Sequence, residues 1–242
     1  MSPRTSAPED TTGPTVGDPP SIDLAATRPG AHCLARAQLL ATRAPLRSRI
    51  VRALGLSTRE AAWRRAADGE QRVAVVLDRL GPDWRVLHSV PIGDDHPAIS
   101  HLVIGPPGVF ALLSRRHRGW YRYYPPTRVE ARVQHDEILI EGESVPYMAQ
   151  ARTQAWRAAR TLSAAMAGEI HVRPAVVLVG LEDIRYHGPP DRVEVLSRRL
   201  VLRWLNRFPP LLQPARVAAV HATARRGDVW LGRCLSEGRE SE

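Results

Sequence analysis

The chain has 242 residues, and its 34 basic against 25 acidic residues give a net charge of +9 at pH 7. Every one of the 34 is Arg and none is Lys. That excludes Schiff-base chemistry, a phosphate-binding P-loop lysine and any step needing an amine of tunable pKa, because a guanidinium stays protonated throughout the working pH range. Apolar residues make up 43% of the chain, enough for a core, yet no apolar run approaches the roughly 20 residues of a membrane-spanning helix. The two cysteines, Cys33 and Cys234, make neither a metal set nor a disulfide framework, so a reduced, cytoplasmic setting is the expectation.

Residues 1–30 are rich in Pro, Thr, Ser, Gly and Asp and poor in large apolar side chains. They cannot repay the entropy of ordering and are expected to form a disordered tail. The next stretch differs: residues 31–60 hold six Arg against one Glu, so the basic excess is local. Within it, LARAQLLATRAPLRSRIVRALGL reads as a basic amphipathic helix interrupted at Pro45, with Leu39, Leu40, Leu46, Ile50 and Leu54 as its apolar positions. This 31–56 extension either docks on the domain that follows or, through residues 34–54, lies on an anionic membrane surface or on nucleic acid.

A compact domain is expected over 57–231, with 232–242 a C-terminal tail. Ser57 and Thr58 followed by Glu60 form a capping signal, and a helical period runs through Ala62, Ala66, Val73, Val76 and Leu80. Gly69 is costly inside such a helix and marks a break or a close approach to a neighbour. Short segments rich in branched residues then predict strands at 84–92, 98–105 and 108–114, with further extended pieces at 120–124, 128–134 and 137–142. A helix is predicted over 148–167, with Ala151, Trp156, Ala159, Leu162 and Met166 near one face. It is followed by a buried strand at 174–180, a strand at 193–196 and helices over 198–208 and about 214–226. The order predicts an α/β fold with a mixed central sheet flanked by helices.

Three segments in this order, Gly69-Glu70, AISHLVIGPPGVFALLSR (98–115) and PYMAQARTQAWRAARTL (146–162) with its Gln150, resemble the nuclease-related domain family, NERD, of the restriction-endonuclease-like superfamily. The resemblance covers roughly residues 65–230. The family pattern has Ile-Asp-His on one strand, a Gly-containing turn, and a second strand ending in acid-x-Lys. His101, Leu102-Val103-Ile104, the turn Gly105 to Gly108, and Val109-Phe110 match it. The departures fall on the chemistry: Ser100 stands where the metal-binding Asp belongs, Leu113 where the acid belongs and Arg115 where the Lys belongs, while Glu70 and Gln150 remain as residual catalytic positions.

The resemblance implies phosphodiester hydrolysis through a carboxylate-held divalent metal that acidifies water, with Lys assisting. A serine hydroxyl brings no negative charge to such a metal, Leu113 offers no donor atom, and Arg115 cannot act as a general base. The sequence reading is therefore a degenerate, non-catalytic relative with no metal and no cofactor, binding DNA, RNA or a protein partner. Arg115, Arg116, Arg118 and Trp120 are the candidate nucleic-acid contacts, because guanidinium suits phosphate and an indole stacks on bases. The alternative is an active Mg²⁺-dependent nuclease with relocated ligands drawn from Glu70, Asp94, Asp95 and His96. Ser100 and His101, as strand neighbours, point to opposite faces and cannot pair as nucleophile and base.

Overall fold

The computed structural model describes residues 22–43, 58–93, 97–117, 130–181, 183–188 and 192–231. The tail over 1–21, the Pro45 half of the basic helix, Asp94-Asp95-His96, Arg118, Trp120, the extended piece at 120–124 and the C-terminal tail lie outside the described residues.

Two sheets carry the fold. Strands β1 (Arg85–Val90), β2 (Ile99–Gly105) and β3 (Gly108–Arg116) form an antiparallel meander, and β7 (Val172–Val179) and β9 (Glu194–Ser197) add to it in parallel, in the order β1-β2-β3-β7-β9. A smaller sheet holds β4 (Glu130–Gln134), β5 (Glu137–Ile140), β6 (Glu143–Val145) and β8 (Asp183–Tyr186), in the order β6-β5-β4-β8. The period of two along each strand decides what it packs against. Val103, Phe110, Leu112 and Val177 meet Val73 and Leu77 of helix α2 (Arg59–Leu77) and Trp204 and Leu205 of α4 (Val201–Leu205). Their strand neighbours Leu102, Ile104, Val109 and Ala111 meet Ala155, Ala158 and Leu162 of α3 (Tyr147–Ala165) and Val217 and Val220 of α5 (Pro214–Ala224). A third cluster joins the sheets, with Leu113, Val176 and Leu178 against Ala131, Val133, Ile138 and Met148.

The expected α/β class holds, as two mixed sheets rather than one central sheet. The short strands β6 and β8 went unread because neither buries a residue, so neither shows an apolar alternation. Two helical faces also differ from expectation. In α3 the buried residues are Met148, Ala151, Gln154, Ala155, Ala158 and Leu162, while Trp156 is 55% exposed with the Arg160 guanidinium over its ring. In α2 the buried residues are Glu60, Ala67, Gly69, Glu70, Val73, Ala74 and Leu77, with Ala62 exposed. A buried glutamate inverts the polarity on which periodicity reasoning depends.

The helix α2 is capped by the Thr58 side chain accepting from Ala61 N and runs unbroken through Gly69. A Cβ at residue 69 would lie 2.9 Å from Cβ of Arg116, so Gly69 marks a close approach to the end of β3. The segment before α2 is part of this packing. Residues 22–30, assigned to the tail by composition, lie against the C-terminal helices: Leu24 is buried, Leu24 N donates to the Arg225 carbonyl and Gly227 N to that of Ile22. Helix α1 (Ala31–Arg43) then buries Cys33 and Ala37, not the expected Leu39, which is 49% exposed. Small side chains one turn apart let the two helices approach closely.

Gly105, at the end of β2, sits against the face of Trp84, and a Cβ there would collide with the indole. Gly105→Ala is expected to lower stability by about 1–3 kcal/mol through overpacking. Gly81→Ala, in open space, is the matched control in thermal denaturation and should leave the midpoint unmoved.

Candidate functional site

The close approach at Gly69 carries the next residue, Glu70, over the end of the first sheet, where its carboxylate is buried. Four donors meet it. Oε1 accepts from the Ser100 hydroxyl at 3.0 Å and the Cys33 thiol at 3.4 Å, and Oε2 from Gly30 N at 3.0 Å and the Ser89 hydroxyl at 3.4 Å. Each donor has its own structural reason. Gly30 has φ of +79° and a Cβ there would lie 3.0 Å from Ala67, so only glycine both makes the turn into α1 and lets the backbone reach Oε2. Ser89 adopts φ of +51° within β1, an unusual conformation for a side-chain-bearing residue.

Ser100 is used on both sides. While its hydroxyl donates to Glu70, its oxygen accepts from Ser114 N at 3.2 Å. Leu113, one place beyond the Leu112–His101 ladder pair, is fully buried in the cluster that joins the two sheets. Arg115 is partly buried. Its Nη2 donates to Gln150 Oε1 at 2.9 Å, its Nη1 to the Ser114 carbonyl at 3.0 Å, and its guanidinium lies 5.4 Å from the centroid of the Tyr147 ring. The Tyr147 hydroxyl in turn meets Nε2 of His117 at 2.9 Å.

Burial dominates the electrostatics. It raises the Glu70 carboxyl above its ordinary range, against the opposing pull of its donors and of Arg115. It pushes the Cys33 thiol up to about 12, with Glu70 adding to the effect, so this sulfur is held as an inert thiol. The Arg115 guanidinium is lowered by burial, and Tyr147 is raised by the same cause. His117 is lowered by burial and then by the Arg115 charge.

The structure thus brings together Glu70, Ser100, Arg115 and Gln150, all named from the sequence, with Leu113 beside them. Arg116 pairs with Asp68 of α2. His101 is fully buried on the other face of its strand from Ser100, with Nδ1 2.8 Å from Nδ1 of His88, and the two are independent, as strand geometry requires. Burial, with His88 beside it, holds His101 well below the ordinary histidine range. Sequence reasoning missed Gly30, Cys33 and Ser89, which carry no motif and come to Glu70 from 40, 37 and 19 positions away. Tyr147 was legible in principle, three residues before Gln150 on one helix.

Residues 65–179 match the family model of the nuclease-related domain. Residues 65–179 are thus similar to a nuclease-related domain. That match starts within α2 and ends at the close of β7, so it includes every position named from the resemblance and stops short of the expected residue 230; Gly30 and Cys33 precede it. The nuclease-related domain is of the restriction-endonuclease-like fold, in agreement with the architecture above. Against curated proteins and against solved structures the chain has no match.

A divalent metal of the kind this fold implies does not fit the described residues at this site. A carboxylate offers about four lone-pair directions, and all four acceptor positions of Glu70 face donors within the chain. Ser100 is spent between Glu70 and Ser114, Leu113 has no donor atom, and Arg115 brings positive charge to the same place. Among the described residues no three His, Cys, Asp or Glu side chains converge.

The raised Glu70 carboxyl predicts a pH signature. A carboxyl whose folded pKa lies above its unfolded value stabilises the fold most below the unfolded value, and loses that contribution as pH rises through the folded one. The stability of the wild type relative to Glu70→Gln, read from urea midpoints, should therefore fall as pH rises from the ordinary glutamate value of 4.5 toward neutrality. Ser100→Ala strips a donor from a buried carboxylate and an acceptor from Ser114 N, and is expected to cost about 2–3 kcal/mol in the same measurement.

Proposed function

We propose that this nuclease-related domain is non-catalytic toward phosphodiesters and acts as a nucleic-acid-binding module. The observation that carries the reading is the fourfold-donated Glu70 carboxylate. Metal-assisted hydrolysis needs anionic oxygens free to hold a cation and a base to activate water. Here the one surviving carboxylate is committed to hydrogen bonds inside the chain, and the neighbouring positions are a shared hydroxyl, a buried leucine and a guanidinium that cannot accept a proton.

Nucleic-acid binding is supported by the scaffold and by the state of Arg115. A guanidinium has five N–H groups, of which two are used on Gln150 and the Ser114 carbonyl. Held over Tyr147 by those bonds, it is oriented before any phosphate arrives, which lowers the entropy lost on contact. Arg116, tied to Asp68, contributes less.

The purified chain, incubated with labelled single- and double-stranded DNA and RNA in Mg²⁺ or Mn²⁺, is expected to leave every substrate intact while retarding at least one in a binding assay. With three phosphates neutralised, affinity should drop ~40-fold between 50 and 200 mM salt, and Arg115→Gln should weaken it about tenfold. Metal-dependent cleavage that disappears in Glu70→Ala would overturn the non-catalytic reading, and absence of retardation at low salt would overturn the binding one.

A further inference from the structure

A second concavity, sharing no residue with the Glu70 site, opens at the edge of the larger sheet, where β9 pairs only with β7 among the described residues. It has a volume of about 700 Å³, within the range of small-molecule pockets. Its walls include Tyr186, Glu194, Leu200, Arg203, Trp204 and Arg207. The one acid among the described lining residues is already paired: Glu194 Oε2 accepts from Trp204 Nε1 at 3.1 Å and from Arg207 Nη2 at 2.7 Å. Arg203, on α4, is exposed and has no partner among the described residues, and Arg207 follows just past the C-cap of that helix. An adjoining cavity of about 220 Å³ adds Arg173 and Arg192 while sharing Glu194, Trp204 and Arg207. Among the described lining residues, Arg203, Arg207 and Arg173 stand against the single carboxylate of Glu194, while Arg192 has an interaction of its own.

The same cleft has an apolar, flat component. Tyr186 is 46% exposed, its hydroxyl donating to the Val195 carbonyl and so fixing the ring on the wall; Leu200 is equally exposed. A row of guanidiniums suits several linked phosphates, and an anchored phenol ring beside a leucine suits the face of a planar ring. We propose that this cleft binds a nucleoside triphosphate, with Arg203 taking the phosphates and Tyr186 the base. This goes beyond the nucleic-acid reading of the Arg115 site and is independent of it.

Isothermal titration of the full chain with ATP, GTP, CTP and UTP should give saturable binding for at least one, with Kd below about 100 μM, and at least tenfold weaker binding of inorganic pyrophosphate. Arg203→Gln and Leu200→Glu, both at exposed positions, should each weaken that triphosphate about tenfold without moving the thermal midpoint, while Arg115→Gln should leave it unchanged. Failure of all four triphosphates to saturate at millimolar concentration, equal affinity for pyrophosphate, or indifference to both cleft variants would overturn the proposal. None of these outcomes bears on retention of nucleic acid through Arg115.

Discussion

A carboxylate taken out of water must find its hydrogen bonds inside the protein, or it destabilises the fold by several kcal/mol. Glu70 finds four, from four places in the chain: the turn into α1, the first turn of α1, strand β1 and strand β2. Much of the local architecture exists to permit this. Gly69 brings α2 against β3, Gly30 lets a backbone amide reach Oε2, and Ser89 turns out of ordinary strand geometry. Because these donors lie on different elements, the carboxylate also locks α1 to the domain, which the burial of Cys33 and Ala37 completes.

On the proposed non-catalytic reading, the arrangement accounts for a nuclease-related scaffold kept without metal chemistry. In a metal-binding site a buried acid is stabilised by the cation it holds. Here the hydroxyl of Ser100 supplies part of that compensation as a neutral donor, and Leu113 turns an adjacent position into an apolar joint between the two sheets. The Arg115 guanidinium, coupled electrostatically to Glu70 and bonded to Gln150, balances the remaining charge. Each substitution fits the other two. An acid at position 100 or 113 would stand beside Glu70 without a cation, and a lysine at 115 would put a point charge where the planar fork now bonds two acceptors.

Much of this was legible in the order of residues along the chain. The meander at 84–116, the long helix from 147 and the buried strand near 174 follow from apolar periodicity and turn residues. The family pattern located Glu70, Ser100, Leu113, Arg115 and Gln150. The illegible parts share a cause: they depend on contacts between distant segments. Trp156 has the character of a core residue yet faces solvent under Arg160, because the packing face of α3 is set by Ala155 and Ala158 fitting against the sheet. Residues 22–30 have the composition of a tail yet are held by backbone pairing with the C-terminal helices.

By itself, then, the sequence determined the α/β class, the chain order of its main elements, the absence of lysine and the departures at Ser100, Leu113 and Arg115 from the pattern it resembles. These are properties of residue type and spacing. Only the tertiary structure decided what the surviving Glu70 does, since a carboxylate is a ligand or a structural hub according to which donors surround it. Those donors, Gly30, Cys33 and Ser89 among them, reach it through space rather than along the chain. The same holds for the cleft at β9, whose arginines are ordinary surface residues in the sequence and converge with Tyr186 only when the two sheets meet.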